Sequence, residues 1–417
     1  MHALLINLSY TATDFDIGAI VAIGYTATAK DGSQIRYIDG KRWLFVGSLL
    51  FPMIPALSAL LYFSGLGNGA TAIPAIFFFI VVPLVDMAIG EDTHNPPDEI
   101  VAAMIADRYY SWLVRLAVPI AWLSFIATVA LVGTQDLPLW SIAIWLVGCA
   151  LINGNCITIG HELGHKQDKT DRRFAMWSNA VVGYAHFRVE HNRGHHVWVS
   201  TPEDPASARM GESIYRFAMR EIPGTLLRGW HEEAERLSKN GLSVFSLQNE
   251  ILQGWAITAG AAVILASLLG PEVLPFILLH HVLGWNALTQ ANYVEHYGLL
   301  RQKRDNGHYE PCSPYHSWNT NHIFSNLMSF HLQRHSDHHT NPMRPYQALR
   351  DFPDLPRLPS GYPGMFLMAA FPPLFFRVMN PKVVAWAKGD IGKVNIAPHA
   401  RQRLEQRWAA ADLEVTK

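Results

Sequence analysis

The sequence predicts an all-α integral membrane protein, in which six transmembrane helices carry a helical, histidine-rich cap on the cytoplasmic side. Three observations lead there. Half of the 417 residues are hydrophobic and only 16% are charged, which is apolar for a soluble protein. Several long windows hold no Asp, Glu, Lys or Arg. The 20 histidines cluster beside those windows instead of scattering along the chain.

Residues 1–42 form a leader, expected to be mostly structureless or loosely attached. Its first 29 residues lack Lys and Arg, and Asp14 and Asp16 interrupt its apolar stretch, unlike a secretory signal peptide. Crossing the hydrocarbon as a helix takes about 20 apolar residues. The uncharged windows are 43–85, 116–135, 137–160, 251–271 and 273–294. The first is long enough for two spans and is broken by Gly65-Leu-Gly-Asn-Gly69, so the count is six. The chain therefore divides into the leader, spans one to four (43–160), a polar region (161–250), spans five and six (251–296) and a second polar region (297–417).

Basic residues set the orientation. Lys and Arg occur only in the leader, around the start of span three and in the two polar regions. The short loops around Gly67, Gln135 and Pro271 carry none. Both termini and both polar regions are thus expected on the cytoplasmic side of a bacterial inner membrane. A net charge of −1 gives no case for nucleic acid. The three cysteines, Cys149, Cys156 and Cys312, supply neither a disulfide framework nor a C-x-x-C pair.

Four groups of histidines carry the chemistry: His161 and His165; His191, His195 and His196; His296; and His335, His338 and His339. On a helix, residues three and four apart share a face. The pairs 161/165 and 191/195 and the set 335/338/339 are each expected to present imidazoles to one point. Nine imidazoles exceed what one ion accepts, so two metals fit the count. Bound histidines usually donate their other N–H to a carboxylate or carbonyl. Glu162, Glu190, Asn292, Glu295, Asp204 and Asp337 are candidates for that role. His280, His281, His186, His308, His316, His322 and His331 do not complete such a pattern, and His2, His94, His231 and His399 look incidental. His161-Glu162-Leu-Gly-His165 is also a literal H-E-x-x-H zinc-protease motif, but that reading leaves seven motif histidines unused.

The strings GEDTHNPP (90–97), EHNRGHH (190–196), NYVEHYGL (292–299) and LQRHSDHH (332–339) resemble the bacterial alkane 1-monooxygenases. These belong to the membrane family of histidine-box di-iron desaturases and hydroxylases. The resemblance runs from about Trp43 to about residue 393. It implies two iron ions held by the nine histidines. It also implies terminal hydroxylation of medium-chain n-alkanes by O2, with two electrons from rubredoxin and its reductase. A substrate without a polar handle must bind by burial, in an apolar channel open to membrane lipid. In this family a position on the second span bears on chain length, and Phe78 is the nearest match. A basic patch of Arg188, Arg193, Arg301, Lys303, Arg304 and Arg334 is a candidate dock for an acidic carrier, or simply part of the positive-inside pattern. The rival readings are a fatty-acyl desaturase or another hydroxylase of the same family, an intramembrane zinc protease, and a metal transporter.

Overall fold

The computed structural model describes residues 24–415, with side chains to residue 408; residues 1–23 of the leader, including His2, lie outside the described residues. The described part of the leader is not loose. Strands β1 (Gly24–Thr28) and β2 (Gln34–Ile38) pair antiparallel, with Gly24 opposite Ile38 and Thr28 opposite Gln34. The Tyr25 hydroxyl donates to Asp107 at 2.7 Å, and the Arg42 guanidinium bonds both the Tyr25 hydroxyl and Asp107. The hairpin is also a departure from an all-helical chain.

Most of the rest is helical. The first run, α1 (Leu44–Ile89), is 46 residues long, about twice what one crossing needs. It reverses at Gly65 and Gly67, whose φ values are positive, and Ser58 Oγ donates back across the turn to the Ala70 carbonyl at 2.8 Å. Then come α2 (Asp98–Ala106), α3 (Arg108–Thr134), α4 (Leu139–Gly164) and α5 (Lys169–Ala180). They are followed by α6 (Ile214–Lys239), α7 (Glu250–Leu269) and α8 (Val273–His296). The C-terminal region adds α9 (His335–Thr340), α10 (Tyr362–Ala369), α11 (Pro372–Trp386) and α12 (Arg401–Val415). Side-chain oxygens of Asp107, Asp168, Ser213 and Asn249 accept the first free amides of α3, α5, α6 and α7, which fixes where these helices begin.

Among the described residues, four helices, α1, α3, α4 and α7, are long and apolar enough to cross a membrane. The most apolar window of α7 is only 17% covered by protein, and Val263, Ile264 and Leu268 stand exposed on it. Such a surface needs an apolar solvent. The helix expected as span six, α8, is present at full length. His280, His281, Asn286 and Gln290 lower its hydropathy below that of the other four. His280 and His281 are buried there, with His280 Nε2 at 3.0 Å from Asn153 Nδ2.

α4 is the central helix, and glycines set its spacing. A Cβ on Gly148 would lie 2.4 Å from the Ala75 backbone nitrogen, and one on Gly154 would lie 2.7 Å from the Gly284 carbonyl. Close backbone approach of this kind is how helices associate without a hydrophobic driving force. Gly148→Ala is expected to destabilise by about 1–3 kcal/mol. Gly260→Ala, at a helical glycine with open space around it, is expected to be neutral or to stabilise by about 0.5–1 kcal/mol. Thermal unfolding midpoints in detergent would separate the two.

Candidate metal centre

His161 lies in the last turn of α4, His165 caps its C-terminus, and His296 is the last residue of α8. His335, His338 and His339 lie on α9, while His191, His195 and His196 lie on a short helical segment beginning at Phe187. These ends meet at one point in the fold. At Gly194 the missing side chain makes room for Arg228, since a Cβ there would stand 2.4 Å from Arg228 Nε.

The nine imidazoles form two groups, one of His161, His165, His191, His196 and His338, the other of His195, His296, His335 and His339. Within each group, one nitrogen per ring lies within 4.8 Å of all the others. The expectation that each motif aims at one point holds for His161 and His165, which share the first group, and is corrected for the other two motifs. His191–His195 is a π-helical turn, whose wider repeat puts residues five apart on one face. His196 thus joins His191, and their Nε2 atoms are 3.0 Å apart, while His195 faces the second group. On α9, His335 and His339 pair at 2.9 Å, whereas His338 turns to the first group, 2.9 Å from His161 and 3.1 Å from His196.

Hydrogen bonding among the rings does not account for this packing. A ring nitrogen has either one proton or one in-plane lone pair, so it serves one partner. Yet Nε2 of His338 and of His196 each face two other nitrogens. The Nε2 atoms of His165, His195 and His296 are buried with no partner. Neighbouring ligands on one ion, with bonds of roughly 2.1 Å, sit about 3 Å apart when at right angles. The spacing and the orphaned nitrogens both fit a metal in each group. Burial, reinforced by neighbouring rings, pushes His165, His191, His196, His335, His338 and His339 well below the ordinary imidazole value. They stay neutral, with a lone pair to give.

Of the six residues expected to support the histidines, two touch them. Asp204 Oδ2 lies 2.9 Å from His195 Nδ1, which leaves Nε2 for the group. Burial would raise the Asp204 carboxyl, but His195 and Arg228 hold it well below the usual carboxylate range. Glu295 Oε2 sits 3.2 Å from His335 Nε2, the nitrogen that faces the group, and the Tyr362 hydroxyl donates to Oε1 at 2.5 Å. Glu190 acts at one remove, because Arg228 bridges it to Asp204. The other three bond elsewhere. Glu162 pairs with Lys166, Asp337 takes both oxygens to Arg344, and Asn292 donates to Glu221. His186 and His331 are buried but belong to neither group.

Half of the expected basic patch is not available as a surface. Arg188 pairs with Glu250, Arg301 bonds the Val197 and Glu310 carbonyls, and Arg334 bonds those of Asp92 and Leu349. Arg193, Lys303 and Arg304 remain exposed.

An apolar cavity of about 770 Å³ opens beside the histidines. His161, His191, His335 and Glu295 close one end, and Phe51, Phe78 and Phe366 line its wall. The Phe78 ring lies 6.4 Å from that of Phe51 and 6.2 Å from that of Phe366. Among the described lining residues there is no Lys or Arg.

Sequence reasoning missed Arg228, Tyr362 and Glu221. The buried stripe of α6 runs Ile214, Phe217, Glu221, Thr225, Gly229, Glu233, and two glutamates within an otherwise small or apolar stripe were a usable signal. Glu221 is fully buried and accepts from Thr289 at 2.8 Å and Asn292 at 3.2 Å. Burial pushes its carboxyl up from 4.5 to about 7. The folded chain then holds this proton more tightly than the unfolded chain. The group's contribution to stability is complete at low pH and is lost as pH rises through about 7. Glu221→Gln is expected to remove that slope, up to about 1.4 kcal/mol per pH unit. Unfolding midpoints between about pH 5 and pH 8 would reveal it.

Residues 137–367 match the family model "Fatty acid desaturase". The chain is 48% identical over 379 residues to an alkane 1-monooxygenase of Ectopseudomonas oleovorans, covering 91% of this chain and 94% of that protein. It is 46% identical to alkane 1-monooxygenase 1 of Alcanivorax borkumensis, over 92% of this chain and 95% of that one. It is 48% identical to an alkane 1-monooxygenase of Pseudomonas putida, over 88% and 92%. Two rings of histidine at the foot of an apolar helical bundle and this breadth of similarity agree: the chain belongs to the alkane 1-monooxygenase family, within the histidine-box fatty acid desaturase group.

Proposed function

We propose that the protein hydroxylates the terminal carbon of medium-chain n-alkanes. Alkane, O2, two electrons and two protons give a primary alcohol and water. The observation that carries this reading is the junction of two buried imidazole groups with an apolar, uncharged cavity. Two iron ions, held by the five-histidine and four-histidine groups, would supply the activation of O2. The protein's own part is to bind and aim the substrate. Burial contributes about 0.8 kcal/mol per methylene, and a walled cavity presents the chain end-on to the histidines. Asp204 and the Arg228–Glu190 bridge hold His195 in one tautomer, and Tyr362 fixes the Glu295 carboxylate beside His335.

On this reading α1 supplies two spans and α3, α4, α7 and α8 one each, six in all. Residues 161–250 and 297–417 form the cap, with both termini on the cytoplasmic side of the inner membrane. Rubredoxin, reduced by its reductase, delivers the electrons there. His165 and His196, the two partly exposed imidazoles, are the natural points of arrival, and Arg193 stands exposed nearby. A desaturase acting on charged acyl carriers is disfavoured by the absence of Lys and Arg from the described cavity wall.

Purified protein is expected to hold about two iron atoms per chain and, once reduced and given O2 and octane, to release 1-octanol. His338→Ala should lose about one of them and all turnover while circular dichroism stays unchanged. One zinc per chain, or an alkene product, would refute the proposal. Phe78→Leu widens the cavity wall, so product profiles from mixed alkanes should shift towards longer chains; an unchanged profile would remove Phe78 as the gate.

A further inference from the structure

A hollow of about 870 Å³ separates α11 from α12, and no histidine lines it. Its polar wall is Arg377 and Asn380 from α11 and Arg403 and Arg407 from α12, while Phe376 and Leu404 supply an apolar side. Helical spacing puts each helix's contribution on one face. Every polar group offered there donates. Guanidinium has no acceptor, and the Tyr297 hydroxyl donates to Asn380 Oδ1 at 2.8 Å, which leaves the Asn380 amide N–H groups for the hollow. Arg407 lies over the Trp408 ring at 5.6 Å, so its N–H edge stays free. No carboxylate answers these charges among the described residues. α11 contains no Asp or Glu, and Glu405 of α12 is bonded to Arg401. Other arginines of the cap are paired, Arg220 with Glu212, Arg236 with Glu233 and Arg357 with Asp351. Three exposed, uncompensated guanidinium groups around one hollow depart from that pattern.

The position of the hollow points to what fills it. α10 packs on α8 and on the second half of α1, so α11 sets out from the level of the spans. Its start is bare and apolar, with Phe371 58% and Leu374 49% exposed. Tyr215 and Met219 of α6 stand exposed beside it, the Tyr215 hydroxyl donating to the Ala370 carbonyl at 2.8 Å. Arg377 lies roughly 9 Å further along the helix. An apolar surface thus gives way, within one short stretch, to a cluster of donors. We propose that this hollow binds the phosphate of an anionic phospholipid at the cytoplasmic membrane surface. The phosphate oxygens accept from the guanidinium edges in the two-pronged geometry that arginine favours, and the acyl chains run along Phe371 and Leu374. An acidic soluble protein would meet the charges but leave those apolar side chains bare. The inference rests on the membrane placement proposed above and is independent of the reaction.

Titrating the protein in neutral detergent with dioleoyl phosphatidylglycerol is expected to raise its thermal unfolding midpoint to a plateau. Dioleoyl phosphatidylcholine should have little effect. Arg403→Gln together with Arg407→Gln should raise the half-saturating phosphatidylglycerol by at least about tenfold. Arg377→Gln alone should raise it by about fivefold, a second variant that does not depend on how α12 folds. Lys382→Gln with Lys388→Gln, the same change in charge but outside the hollow, should leave it where it was. An equal response from all variants, or an equal response to phosphatidylcholine, overturns the site. Inorganic phosphate or a polyglutamate peptide stabilising as well as phosphatidylglycerol overturns lipid as the occupant. Protein that does not float with neutral phosphatidylcholine vesicles after reconstitution removes the membrane placement itself. Protein that floats and shows no preference for phosphatidylglycerol removes this site alone.

Discussion

Nine imidazoles are crowded into ring contact, and their lone pairs have nowhere to go but towards one another. That electrostatic constraint governs the rest of the structure. Buried polar atoms without partners are costly, and at several of these nitrogens the protein offers none. The surrounding chain acts to aim the rings. Burial depresses the basicity of eight of them, whereas Asp204 raises that of His195. Asp204 and the His316 carbonyl engage Nδ1 of His195 and His296, so that Nε2 is the atom left facing inward. An arrangement so unfavourable alone makes sense as half of a coordination sphere.

The two parts of the molecule divide the work. The apolar helices provide length, a lipid-facing surface and, through Gly148 and Gly154, the close contacts that seat α4 at the centre. The polar regions provide the ion pairs. Arg228 joins Glu190 to Asp204, and Arg334 binds carbonyls from the 92–95 and 349 segments just before His335. Arginine suits both positions because its fork reaches several acceptors and stays charged when buried. The histidines fall on the seam, where helix ends from one part meet short segments from the other. This is why a hydrocarbon cavity and a metal-binding centre share a wall.

Much of this was legible in the sequence, for identifiable reasons. The long uncharged windows marked α3, α4, α7 and α8, and the glycine cluster near residue 67 marked the reversal in α1. Eight of the nine histidines stood out because H-x-x-x-H and H-x-x-H-H spacing on helices is a local property, and His296 stood out through the NYVEHYGL string. Their division into two groups was not legible, since it depends on a π turn at His191–His195 that residue spacing does not reveal. Nor were the partners of the carboxylates. Glu295 meets Tyr362, and Arg228 meets Glu190, across 67 and 38 residues of chain. Arg188, Arg301 and Arg334 looked like surface charge because sequence alone does not distinguish a solvated arginine from one paired with a distant carboxylate or folded onto buried carbonyls. The β1–β2 hairpin escaped notice because its strands are short and its contacts lie some 80 residues away at Asp107 and Tyr110.

The turn at His191–His195 has a mechanical consequence. A single loosened coil of backbone is common property of both histidine rings, with His191 and His196 facing one and His195 the other. Displacing any of the three shifts the peptide planes that carry its neighbours, so tension at one ring is felt at the other through the shared backbone. The two halves of the centre are coupled as a rocker is coupled through its pivot.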